Sequence, residues 1–170
     1  MSKKRVIAFV AFFAFIALVL GVVAVGDAVA GEKVKGRLVG YTVKWEQVQV
    51  GDEEGHVIAV IEDKGISSIL MGRKLPDGAL FRNSTLLDAN LKTWLGSHVS
   101  YAEWTDRDGD KYYSKSNGKL MGGGTWEGEW AFVKGTGKFE GIQGKGTWVG
   151  FTVGPMQWYL DWEGEMELSR

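Results

Sequence analysis

Between residues 135 and 150 the chain reads GTGKFEGIQGKGTWVG, with six glycines in sixteen positions. Glycine at that density destabilises a helix at every occurrence, whereas strands use it at bulges, tight bends and close backbone approaches. The interleaved Thr, Phe, Ile and Trp are strand formers. The same texture precedes it in GTWEGEW at 124–130 and returns as WEGE at 162–165. This stretch therefore predicts short antiparallel strands bent around a small closed barrel.

The rest of the chain past residue 30 carries a matching period of two. Val39, Tyr41, Val43 and Trp45 alternate with Gly40, Thr42 and Lys44 inside a long candidate strand or strand pair, Val34–Val50. Gly51–Gly55 reads as an acidic turn, His56–Ile61 and Ile66–Met71 as two strands, and Leu75-Pro76-Asp77-Gly78 as a turn. Leu80–Leu95 is open to two readings. Its Leu and Trp spacing suits a helix, while Asn83-Ser84-Thr85 suits turns and strands; the first part is read as strand. Ser97–Thr105, Lys111–Lys115, Thr125–Val133, Lys145–Val153 and Met156–Leu168 complete the pattern, and the expectation is about eight strands in one domain. Strand alternation puts Trp126, Gly128 and Trp130 on one face with Glu127 and Glu129 opposite. It likewise puts Trp162, Gly164, Met166 and Leu168 opposite Glu163, Glu165 and Glu167. Apolar side chains then face in and carboxylates face solvent, with glycine making room for indoles across the sheet.

The first thirty residues have a different character. Lys3, Lys4 and Arg5 precede an uncharged run from Val6 to Val25 and an Ala28-Val29-Ala30 site. A basic start, an apolar stretch and a small-x-small site describe an export signal cleaved after Ala30. The run is also long enough to remain as a membrane anchor. Residues 1–30 are thus a signal peptide or uncleaved anchor, and residues 31–170 a single domain placed in the periplasm, outside the cell, or at the membrane surface through that anchor.

With no cysteine, the chain forms no disulfide, and the domain must stabilise itself by burying a core. Residues 31–170 carry 17 basic and 20 acidic side chains, with no basic run, which argues against nucleic acid as a partner.

The segments DRDGDKYYS at 106–114, GTGKFEGIQGKGTW at 135–148 and the closing WEGEMEL resemble bacterial exported relatives of the allene oxide cyclase and dirigent proteins. That group has a Thr-Asp-x-Asp-Gly-Asp turn before a strand, then a glycine-rich Gly-Thr-Gly-Lys segment. The match spans Tyr101 to Leu168. It implies an eight-stranded antiparallel barrel of the calycin type with a central cavity. Plant members of the wider superfamily isomerise an oxylipin or steer radical coupling, and many form dimers or trimers, so a homo-oligomer is an expectation here too. No catalytic position carries over, because the cyclase's functional strands have no counterpart motif in this chain, and a shared fold is not a shared activity. Gly-Thr-Trp is also similar to the Gly-x-Trp of lipocalins and avidins, but there it opens the barrel, and here both copies lie in the last third.

Eight tryptophans are several times common usage. They are read as core, as the lining of a pocket for a small hydrophobic or aromatic ligand, or as both. The pocket candidates are Tyr101, Trp104, Trp126, Trp130, Trp148, Trp158, Tyr159 and Trp162. Asp106, Asp108 and Asp110 imitate the start of a calcium loop, but Lys111 stands where the loop needs glycine and Asn117 where it needs Glu; an acidic hairpin turn is the plainer reading. His56 and His98 form no metal motif, and no nucleophile signature occurs, so both are read as structural or exposed. Glu103 is the one candidate acid or base, on the premise of a raised pKa, and no cofactor is expected.

Three functions follow: a ligand-binding or structural barrel, a cofactor-independent cyclase or isomerase acting by shape on a lipid or phenolic substrate, and an envelope assembly protein without ligand. An aromatic calyx favours the first, an inward carboxylate the second, and a bore filled by tryptophan the third.

Overall fold

In a computed structural model that describes residues 31–168, the chain forms eight antiparallel strands in sequential order, β1 paired with β8 to close the barrel. The strands are β1 (Glu32–Gln49), β2 (His56–Met71), β3 (Leu80–Asn90), β4 (Leu95–Thr105), β5 (Lys111–Met121), β6 (Thr125–Gly135), β7 (Ile142–Gly154) and β8 (Gln157–Leu168). A single 3₁₀ turn, Gly137–Phe139, joins β6 to β7. The leader reading of residues 1–30 lies outside the described residues. Among the described residues, no helix is long and apolar enough to cross a membrane.

The ambiguous segment resolves as β3, then a tight turn at 91–94 into β4. Two expectations are corrected. His56–Ile61 and Ile66–Met71 are one strand, and the charged Glu62-Asp63-Lys64-Gly65 between them is not a break. The reason is close approach: Gly65 pairs with Gly40 of β1, and a Cβ there would strike the Val39 carbonyl. Here glycine marks a sheet contact and no turn. The Lys111–Lys115 strand also continues to Met121, with Leu120 buried at its far end.

The expected turns are present. Asp77 accepts a hydrogen bond from the Ile69 amide at 2.9 Å, and Gly78 adopts φ 77°. Asp106 organises the β4–β5 turn by accepting the amides of Asp108 and Asp110, both at 2.9 Å.

One end of the bore is packed shut. Phe139, from the 3₁₀ turn, and Leu75, from the β2–β3 loop, join Val34, Leu38, Tyr112, Ile142 and Met166 in a buried cluster. Phe139 and Tyr112 meet at 4.8 Å between ring centroids. Towards the other end, Ile61, Leu87, Leu120, Trp45 and Trp94 form a second cluster. Between them the bore is not filled.

Candidate functional site

Alternation decides which side chains enter the bore. From β6 it takes Trp126, Trp130 and Phe132, from β7 Trp148 and Thr152, and from β8 Trp158, Leu160 and Trp162. Trp104 enters from β4, Trp45 from β1, and Trp94 from the turn before β4. All eight tryptophans of the chain therefore line one cavity of about 250 Å³. The six tryptophans singled out from sequence are brought together. Trp45 and Trp94 were missed, although the alternation of β1 already flagged Trp45.

The two tyrosines are corrected. Tyr101 faces outward beside Tyr113, and Tyr159 stacks on Phe151 at 5.1 Å beneath the Arg37 guanidinium. Neither lines the cavity. On β4 the more apolar face looks out, with Val99 and Tyr101 exposed, while His98, Ser100, Ala102 and Trp104 look in.

The indoles lie flat because glycine stands beneath them. A Cβ added at Gly118 or Gly128 would sit 2.5 Å from the Trp148 ring, and one at Gly36 or Gly40 would sit 2.5 Å from Trp162 or Trp158. Trp126 covers Gly150 and Trp130 covers Gly164 in the same way. The glycine-rich sequence is thus a bed for the rings, as expected from the alternation. Trp130 Nε1 donates to the Glu163 carbonyl and Trp148 Nε1 to the Glu129 carbonyl, both at 3.3 Å, which fixes each ring's tilt. The Trp94 and Trp162 Nε1 groups are buried without a hydrogen-bond partner.

The facing wall, from β1 to β5, sets a polar rail among apolar residues that include Trp45, Phe81 and Trp104. Register puts Asp63, Asn83, Ala102 and Ser114 on one rung, and Thr85, Ser100 and Ser116 on the next. Asn83 Nδ2 donates to Thr85 Oγ1 at 2.7 Å and to Asp63 Oδ2 at 3.2 Å, and Ser100 and Ser116 share a hydrogen bond of 2.6 Å. Asp63 is 7 % exposed and is the single formally charged residue type in the lining. Its Oδ1 also accepts from Thr42 Oγ1 at 2.8 Å and, at 3.4 Å, from Trp158 Nε1. Burial raises its pKa, against the lowering effect of these three donors. Sequence reading passed over Asp63, because it sits in the segment taken for a strand break.

His98 also enters the cavity, where it is largely buried, in keeping with the structural branch of its reading. Its ring stacks on Trp148 at 5.4 Å, and burial pushes its pKa down to about 4, so it is a neutral imidazole at neutral pH. It does not form a dyad with Asp63. The Asp63 rung meets β4 at Ala102, four residues from His98, roughly 13 Å along the strand. His56 lies elsewhere, at the β1–β2 turn, with Nδ1 on Asp52 at 2.6 Å and Nε2 on Asp88 at 2.8 Å, and both carboxylates raise its pKa.

Glu103 projects to the outer wall. Lys111 Nζ donates to it at 2.9 Å and Tyr113 Oη at 3.2 Å, and Lys111 above all holds its carboxyl below the usual range. The premise of a raised pKa is corrected: a salt-bridged outer carboxylate remains ionised and is poorly placed to take a proton. Asp106, Asp108 and Asp110 serve the turn and Lys138. The Lys138 ammonium pairs with Asp106 and, at 2.7 Å, with Asp108, while Asp110 accepts the Lys138 amide at 3.3 Å. Among the described residues, no group of three or more His, Asp or Glu is arranged to hold a metal ion.

The arrangement is a bore with five indoles from β6 to β8 on one side and, on the other, a hydrogen-bonded polar rail set among further rings. Compared with models of known protein families and with curated protein sequences, the chain matches none.

Proposed function

We propose that this protein is an exported barrel that holds a small hydrophobic or aromatic molecule in its bore, with an architecture akin to the allene oxide cyclase and dirigent barrels. The observation that carries the reading is the convergence of all eight tryptophans on one cavity of about 250 Å³. A core built for stability alone packs its rings against one another and leaves few voids larger than a water molecule. Apolar cavities of about 150 Å³ take up benzene, so this one has room for a ligand of roughly two rings.

The test is intrinsic fluorescence of the full-length chain titrated with neutral aromatic, phenolic and lipid compounds. A saturable change with at least one class is expected, lost when Trp148 is replaced by Ala. No response to any class would overturn the reading.

One observation favours a second reading, a cyclase or isomerase-like enzyme: Asp63 is an inward carboxylate in an otherwise uncharged cavity, where a proton could be given or taken. Turnover of a bound compound that Asp63→Asn abolishes, with binding retained, would establish that reading over simple storage.

A further inference from the structure

Taking the bore as a ligand site, as proposed above, we infer that its ligand is a small organic cation: an aromatic amine whose ammonium group sits on Asp63 and whose rings lie against the indoles.

The formal charges of the lining carry the inference. Asp63 is acidic, and no Lys or Arg lines the cavity. The remaining titratable groups that face inward are His98, neutral at neutral pH, and the phenol of Tyr112, whose pKa burial raises further. Moving an ionised ligand out of water is tolerable where an opposite charge meets it and prohibitive where none does. A carboxylate ligand would meet no cation in this bore and would lie in the same small volume as Asp63. An ammonium would meet its counter-charge.

The surroundings of Asp63 agree. Its neighbours Thr42, Asn83 and Trp158 all donate, and none accepts, so these hydrogen bonds favour the ionised carboxylate and oppose the effect of its burial. Three donors leave part of a carboxylate's acceptor capacity unused. An ammonium, with up to three N–H donors, completes it. Trp158 belongs both to this group and to the aromatic wall, packing at 6.0 Å from Phe81 and 6.4 Å from Trp126. Asp63 therefore sits at the margin of the aromatic wall, so the rings of a ligand whose ammonium meets the carboxylate lie beside the indoles. Ser100, Ser114 and Ser116 continue the polar rail for a second polar substituent.

The experiment uses three probes of one shape on the full-length chain: naphthylmethylamine, naphthylmethanol and naphthoic acid of the same positional isomer, titrated calorimetrically at neutral pH. The amine is expected to bind roughly tenfold or more tighter than the alcohol, the equivalent of one charge-assisted hydrogen bond, with the acid weakest. Asp63→Asn, nearly isosteric, is expected to erase the preference for the amine while leaving the alcohol's affinity within about threefold. Lowering the pH until Asp63 is protonated should weaken the amine in the original chain and in His98→Gln alike, which separates the loss of the carboxylate charge from protonation of His98. Equal binding of amine and alcohol, tightest binding of the acid, or a preference that survives Asp63→Asn would each overturn the inference while the ligand-site reading stands. Failure of all three probes to bind would overturn both.

Discussion

The two walls of the bore are made from opposite materials. β6 to β8 offer rings laid on glycine, while β2 to β5 set short polar side chains, tied to each other, between Phe81, Trp104 and Tyr112. The first wall contributes stability through area removed from water, the second through hydrogen bonds that are individually worth little but costly to leave unmade. A cavity between two such walls offers hydrogen-bonding groups along the β2–β5 rail and few on the β6–β8 side. That asymmetry orients whatever enters, and a uniformly apolar core could not supply it.

Breaking the indole wall is expected to cost most. Trp130→Ala removes a ring that is 8 % exposed and packs on both Phe132 and Trp162. It should lower the unfolding free energy by about 3–5 kcal/mol, read from urea denaturation.

The polar wall's largest expected effect is an acid sensitivity through His98. Its pKa is about 4 in the folded chain against 6.5 unfolded, so the unfolded chain binds the proton first. Stability is then fully present above pH 6.5 and falls as the pH drops towards 4, by about 3 kcal/mol in all. His98→Gln should flatten the profile in that window. His56 titrates in the opposite sense. Its pKa is raised by Asp88 and Asp52, so its contribution is present below 6.5 and is lost as the pH rises through the raised value. The two histidines can thus be separated by pH alone.

Smaller effects sharpen the contrast. Ser116→Ala leaves the half-buried Ser100 hydroxyl without its partner and should cost about 1 kcal/mol in the same denaturation assay. Asp63→Asn should move the melting temperature slightly upward at neutral pH. The carboxyl's folded pKa is raised, so its charge destabilises the fold above that pKa, and the penalty vanishes below the unfolded value. A fall in melting temperature would show that the three donors outweigh burial at this site.

The indole wall was legible in the sequence and the polar wall was not, for one physical reason. Large rings alternating with glycine have a single economical use, so Trp126, Trp130, Trp148 and Trp162 announce both strand and facing. Asn83, Ser84 and Thr85 do not, because the same residues serve turns and solvent-facing strands equally well. Hydropathy then misdirects on β4, where Tyr101 is more apolar than the inward Ser100 but points outward, since register is fixed by the whole strand. Asp63 was hidden by its company: between Glu62 and Lys64, which face out, a carboxylate looks like one more solvated charge.

The glycines under the rings have a consequence for the interior dimensions. Each indole rests where its neighbour strand has nothing to raise it: a methyl group at Gly40 would press on Trp158, and at Gly128 it would strike the Asn117 carbonyl as well as Trp148. The calibre of the bore is thereby written in residues beneath the rings, which hold strand and indole at one fixed separation.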